Sequence, residues 1–152
     1  AGYPLVVAGM SGWLNDALSR RLEAARARGE VRLLGHVDDG QLPLLYAGAT
    51  MLAYPSVYEG FGLPPLEAMA SGIPVAVSDR ASLPEVVGDA AILVEPHDVE
   101  GLTAAMLRIV EDQAFADDLA ARGIARAKTF TWARCAALTM ACWEQVAGGS
   151  AP

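Results

Sequence analysis

Apolar positions along this chain fall into two spacings. Short closed runs without alternation occur at Leu5–Ala8, Val31–Leu34, Thr50–Tyr54, Pro74–Val77 and Ala91–Val94. Continuous runs of that length read as parallel strands covered on both faces. Between them, apolar residues recur at helical spacing. Leu14, Leu18, Leu22 and Ala25 mark one face of a helix that ends at Gly29, with Arg26 and Arg28 in its last turn. Asp38 or Asp39 caps a second helix reaching Tyr46. A third runs from about Pro64 to Ala70 and stops at Gly72; its two prolines mark a first turn. Ser82-Leu83-Pro84-Glu85 has capping-box spacing and opens a short helix to Val87. Asp98 caps a helix with Leu102, Ala105, Met106, Ile109 and Val110 on its core face. Two more helices, about Ala114–Lys128 and Trp132–Val146, precede a loose tail, 148–152.

Strands alternating with helices predict an α/β domain over residues 1–147: a Rossmann-like, doubly wound parallel sheet with helices on both faces. Composition narrows the partners. At 152 residues, 53% hydrophobic and 19% charged, the chain suits one sizeable core and is not disordered. A net charge of −7 argues against a general nucleic-acid or anionic-membrane surface. The longest uncharged stretch, 40–58, is broken by Pro43, Gly48 and Pro55, so it reads as helix, strand and loop and not as a membrane span. No basic leader or cleavage pattern stands at the start. Cys135 and Cys142 lie about two helical turns apart, roughly 10 Å, too far to bridge. A reducing compartment fits.

Ligands bind outside the carboxyl ends of the strands in an open parallel sheet. Three loops fall there. Gly9-Met10-Ser11-Gly12 permits close backbone approach, or is simply a tight strand-to-helix turn. Gly35-His36-Val37 holds a histidine that reads best as an exposed loop residue, with no metal-ligand spacing near it. The third carries most information: Glu59-Gly60-Phe61-Gly62-Leu63-Pro64-Pro65-Leu66-Glu67. Two glycines fold the backbone just before a helix, so the N–H groups of Phe61, Gly62 and Leu63 can converge on an anion with the helix dipole behind them. Glu59 and Glu67 flank this cradle. An acid near a helix start is stabilising by itself, which accounts for Glu67 but not for Glu59. From Leu33 to Asp79 there is no Lys or Arg, so cations for a bound anion come from elsewhere.

At this loop the chain resembles the retaining glycosyltransferases of family 4, which have the GT-B fold of two Rossmann-like domains. The resemblance runs through "GHV" (35–37), "LYAGA" (45–49), "YPSVYEGFGLPPLEAMASGIPV" (54–75), "SDRASLPEVVGDAAILVEP" (78–96) and "FTWARCA" (130–136). It is to the C-terminal domain, which binds the nucleotide-sugar donor. The resemblance implies that Glu67 accepts hydrogen bonds from the donor ribose. Glu59, the catalytic candidate, lies by the donor sugar and its departing phosphate. The amides of Phe61, Gly62 and Leu63 hold sugar hydroxyls and phosphate oxygens, the Val37 backbone meets the base, and Gly9 lets the diphosphate approach. It also implies chemistry without cofactor or metal, with GDP-mannose or a UDP-sugar as substrate and a lean toward mannose.

The donor domain of that family opens with one more strand and helix, carrying an Arg and a Lys, and is preceded by an acceptor-binding domain. Both are missing from this sequence, so the expectation is an incomplete sheet with unpaired edges and exposed apolar patches. Alone the chain is expected to be inactive, because half a cleft positions no acceptor. Trp13, Tyr46, Tyr54 and Tyr58 are expected to pack, Glu85 to cap. Cys135, Leu138, Cys142, Trp143 and Val146 form a core face or an interdomain seam. The resemblance implies a cytoplasmic protein, attached at the inner membrane face, if at all, through the absent domain. Competing readings are an epimerase or phosphorylase of the same fold, a glycoside hydrolase using the two glutamates, and a non-catalytic nucleotide-sugar module. A Schiff-base phosphorylase is disfavoured because the only lysine, Lys128, falls in a late helix.

Overall fold

The computed structural model describes residues 2–9 and 16–148, so Trp13, Leu14, most of the first glycine loop and the last four residues lie outside the described part. Contacts divide the chain into two compact units, Ala1–Leu44 and Leu45–Pro152.

In the first unit, β1 (Leu5–Ala8) and β2 (Val31–Gly35) pair in parallel, with Leu5 opposite Val31 and Val7 opposite Leu33. The ladder shifts between Val7 and Ala8, and Gly9 N–H then donates to Gly35 O at 2.8 Å. The helix α1 (Asp16–Ala27) packs on β2. The apolar run of β1 predicts a strand buried on both faces, yet Leu5 is 49% exposed. A single helix of twelve residues cannot cover both faces of a strand pair.

The helix α2 (Leu42–Ala47) leads into the second unit. There β3 (Leu52–Tyr54), β4 (Val75–Ser78) and β5 (Ile92–Val94) form a parallel sheet with β4 central. All four residues of β4 are buried. Alternate strand residues point to opposite faces, so both faces are covered, as the uninterrupted Val-Ala-Val predicts. The covering helices are α3 (Leu63–Ala70), α4 (Leu83–Val87), α5 (Val99–Glu111) and α6 (Gln113–Ala127). Ala105 and Ile109 of α5 meet Ala116 and Leu119 of α6 over Ala76 of β4. The helix α6 lies close on α3 because Gly123 has no side chain: a Cβ there would come within 3.2 Å of Met69 Cγ.

Asp98 caps α5 by accepting from Gly101 N–H at 2.8 Å, as its position predicts. Ser82 does not act in the same way. It stands at the N-cap of α4 but makes no capping bond, so the capping box with Glu85 is not formed. Its hydroxyl is used across the fold instead. The last helix, α7 (Trp132–Gly148), extends past the expected end at Val146. Its apolar residues are not core: Leu138, Trp143 and Val146 are all exposed, and no described part of the chain covers them. Among the described residues no helix is long and apolar enough to cross a membrane.

Candidate functional site

The central strand sets the floor of the site. The chain leaves β3 at Tyr54, turns through Pro55–Gly62 and enters α3. Pro55 cannot extend a strand ladder, which fixes where β3 ends. Three serines then tie the loop to the sheet and to α4. Ser78, fully buried at the end of β4, donates to Ser56 O at 2.5 Å. Ser82 Oγ lies 2.7 Å from Phe61 O and 3.0 Å from Glu59 O. A hydroxyl has one proton, so the nearer carbonyl, that of Phe61, is the favoured acceptor. Ser56 Oγ reaches Glu59 Oε1 at 2.8 Å and Tyr58 O at 3.2 Å, and the charged acceptor is again the nearer one.

Gly62 makes the bend. Its φ of 114° lies in the region that L side chains avoid, and a Cβ would stand 2.7 Å from Leu83 Cδ2. A side chain there would strain the backbone and force the buried Leu83 side chain to move. The helix α3 starts immediately afterwards, with Pro64 in its first turn. Among the described residues no acceptor takes the N–H groups of Phe61, Gly62 or Leu63. The three expected donors are therefore uncommitted at the positive end of a helix.

Each glutamate is held by a tyrosine. Tyr54 Oη donates to Glu59 Oε1 at 2.6 Å, and Tyr46 Oη donates to Glu67 Oε2 at 3.3 Å. Burial, then the hydrogen bond to Glu59 and its charge, push the Tyr54 phenol up to about 12. Tyr46 is raised as well, by burial first, then by the charge of Glu67, its hydrogen bond and the neighbouring Tyr54. Both therefore stay protonated donors at neutral pH. The expectation that these tyrosines only pack holds for their rings but not for their hydroxyls. Tyr58 is instead largely exposed, at 79%.

Phe61 is supported from behind. Its ring meets Phe130 edge-on, centroids 5.9 Å apart at 84°. Arg126 lies over the other partner, its guanidinium carbon 5.1 Å from the Phe130 centroid.

The second unit thus gathers Glu59, Phe61, Gly62, Leu63 and Glu67 on one loop and helix start. Gly9 and Val37 belong to the first unit. Gly9 has a φ of 134° and open space where a Cβ would stand, while Val37 is half-buried. His36 is exposed, with Nε2 3.7 Å from Asp38 Oδ1, the loop residue its position suggests. Reading the sequence missed the anchoring roles of Tyr46, Tyr54, Ser56, Ser78, Ser82 and Phe130. A tyrosine ending an apolar run just ahead of a glutamate loop was the one available signal.

A glycine turn with uncommitted amides, a helix start and two tyrosine-held carboxylates thus come together on a Rossmann-like frame. Residues 2–128 match the model of the glycosyl transferases group 1, and the chain belongs to that family. It is 45% identical over 142 residues to O-antigen chain mannosyltransferase B of Escherichia coli, spanning 93% of this chain and 37% of that protein. It is 42% identical over 113 residues to an MMP alpha-(1->4)-mannosyltransferase of Mycolicibacterium hassiacum, covering 72% of this chain and 28% of that one. Among solved structures, sucrose-phosphate synthase of Thermosynechococcus elongatus superposes with a TM-score of 0.77 at 31% identity, over 96% of this chain and 39% of the other. The chain therefore spans well under half the length of these relatives.

Proposed function

We propose that this chain is the donor-binding part of a retaining glycosyltransferase that moves a hexose, mannose by preference, from a nucleotide diphosphate sugar to an acceptor. The observation that carries the reading is the pairing of two tyrosine-anchored glutamates around uncommitted amides at the start of α3. The mannosyltransferases of Escherichia coli and Mycolicibacterium hassiacum that the chain resembles supply the lean toward mannose.

In this reading the exposed Glu67 carboxylate accepts from the ribose hydroxyls. The amides of Phe61, Gly62 and Leu63 hold the sugar hydroxyls and phosphate oxygens. Glu59 orients the donor sugar and steadies positive character at its anomeric carbon. The bond from that carbon to the phosphate oxygen breaks as the acceptor oxygen attacks the same face. The acceptor proton passes to the departing phosphate. Val37 and Gly9 serve the base and the diphosphate. No metal or cofactor takes part, and the acceptor is held by a further domain, through which any membrane attachment would run.

Calorimetric titration of the intact enzyme with GDP, GDP-mannose, UDP and UDP-glucose, with and without magnesium, tests this beside a Glu67→Ala variant. One nucleotide class should bind without metal. Removing the carboxylate should cost about 1.5–3 kcal/mol, the worth of hydrogen bonds to a charged group. Equal binding by the variant would remove Glu67 from the site. Binding without any turnover would favour a non-catalytic module.

A further inference from the structure

Glu59 is held through one carboxylate oxygen by two hydroxyls. Its Oε1 takes two hydroxyl protons, from Tyr54 at 2.6 Å and from Ser56 at 2.8 Å. Among the described residues nothing donates to Oε2. Both donors are themselves fixed. Tyr54 ends β3, which pairs in register with the buried β4, Tyr54 opposite Val77. Ser56 has its carbonyl bound by the buried Ser78. A carboxylate tied through one oxygen to two rigid donors has one orientation, and that orientation presents the other oxygen.

We propose that Tyr54, with Ser56, is a positioning residue for transfer: it saturates Glu59 Oε1 so that Oε2 alone faces the donor sugar. The inference rests on the role given to Glu59 above. Its chemistry follows from preorganisation. A carboxylate free to rotate presents its lone pairs in many directions, whereas a fixed one meets developing charge without reorganising. Tyr54 never touches the substrate, so its removal should act only through Glu59. The longer contact between Tyr46 and Glu67, 3.3 Å, makes a weaker clamp, and the proposal is confined to Tyr54.

A double-mutant cycle in the intact enzyme tests it, with Tyr54→Phe, Glu59→Ala and both together, following transfer from labelled donor so that residual rates are measurable. Tyr54→Phe should lower kcat about tenfold while changing donor KM less than about threefold, as expected for a contact that matters in the transition state. In the Glu59→Ala background the same change should alter kcat less than about twofold. If Glu59→Ala is impaired and Tyr54→Phe costs the same factor in both backgrounds, Tyr54 is a loop strut and the inference is overturned, while the role of Glu59 stands. If Glu59→Ala keeps full kcat, the role of Glu59 falls and the inference with it. Should Tyr54→Phe not fold, Ser56→Ala runs the same cycle on the second hydroxyl, read by the same criteria.

Discussion

Arg126 closes α4 from forty residues away. Its Nε donates to Val86 O at 3.0 Å and its Nη2 to Glu85 O at 2.6 Å, taking carbonyls at the end of a five-residue helix. The same guanidinium lies over Phe130, whose edge meets Phe61. One side chain of α6 thereby supports both α4 and the ring behind the anion loop.

Replacing Arg126 by Met keeps the stem and removes both bonds. Hydrogen bonds from a charged donor contribute about 1.5–3 kcal/mol, so Arg126→Met should destabilise the chain by an amount in that range. Urea unfolding of the two proteins measures it. A change below a few tenths would mean that water replaces the guanidinium without loss.

Phe130 lies two residues beyond the part of the chain matched by the family model, which ends at 128. Its edge-on contact with Phe61 nevertheless predicts a coupling of about 0.5–1.5 kcal/mol between Phe61→Ala and Phe130→Ala. Unfolding free energies of the two single variants and the double variant give that coupling directly. Strict additivity would show that the rings touch without mattering to each other.

Gly62→Ala should be among the most damaging single changes in the loop. The backbone there costs an L residue about 1–3 kcal/mol, and forcing a methyl against Leu83 adds a comparable overpacking penalty. Adding Leu83→Ala relieves the clash but not the backbone cost, and it opens a cavity. Thermal melts of Gly62→Ala and the double variant should therefore both fall below the parent.

The raised phenols give alkaline stability a definite shape. In the unfolded chain both tyrosines ionise near their ordinary value of 10.0, whereas folded Tyr54 holds its proton to about 12 and Tyr46 is raised as well. The folded state thus binds protons more tightly in that interval. The stability lent by the neutral Tyr54 phenol is complete below pH 10 and lost as pH rises through about 12, with Tyr46 acting in the same direction. Urea midpoints measured across that window, with tyrosinate absorbance followed alongside, should decline less steeply in Tyr54→Phe than in the parent. Identical slopes would mean that Tyr54 ionises alike in both states.

How much of this was legible in the sequence depends on range. The element order was, because strand runs such as Val75–Val77 and the helix face of Ala105 and Ile109 are set by local spacing. The glutamate loop was legible for the same reason, since Glu59 to Glu67 is one contiguous motif. What holds that loop was not. Ser78 to Ser56, Ser82 to Phe61 and Tyr46 to Glu67 each span more than twenty residues, and nothing in a local pattern records a partner at that distance. Ser82 shows the conflict most clearly: local rules make it a helix cap, and a tertiary acceptor took its proton. The face of α7 stayed open between core and interdomain seam because apolar spacing reports a face and not what lies against it; its exposure removes the core alternative.

That diversion of Ser82 sets two demands on one position against each other. Aspartate is as good a helix cap as serine, and an engineer improving α4 by its own rules would install it. Its carboxylate has no proton to give and would face the carbonyl oxygens of Glu59 and Phe61, which now share a donor. The helix would gain and the loop would open. Choosing residues here by the quality of the nearest helix selects against the loop, and a design effort that scored only melting temperature would not see what it had discarded.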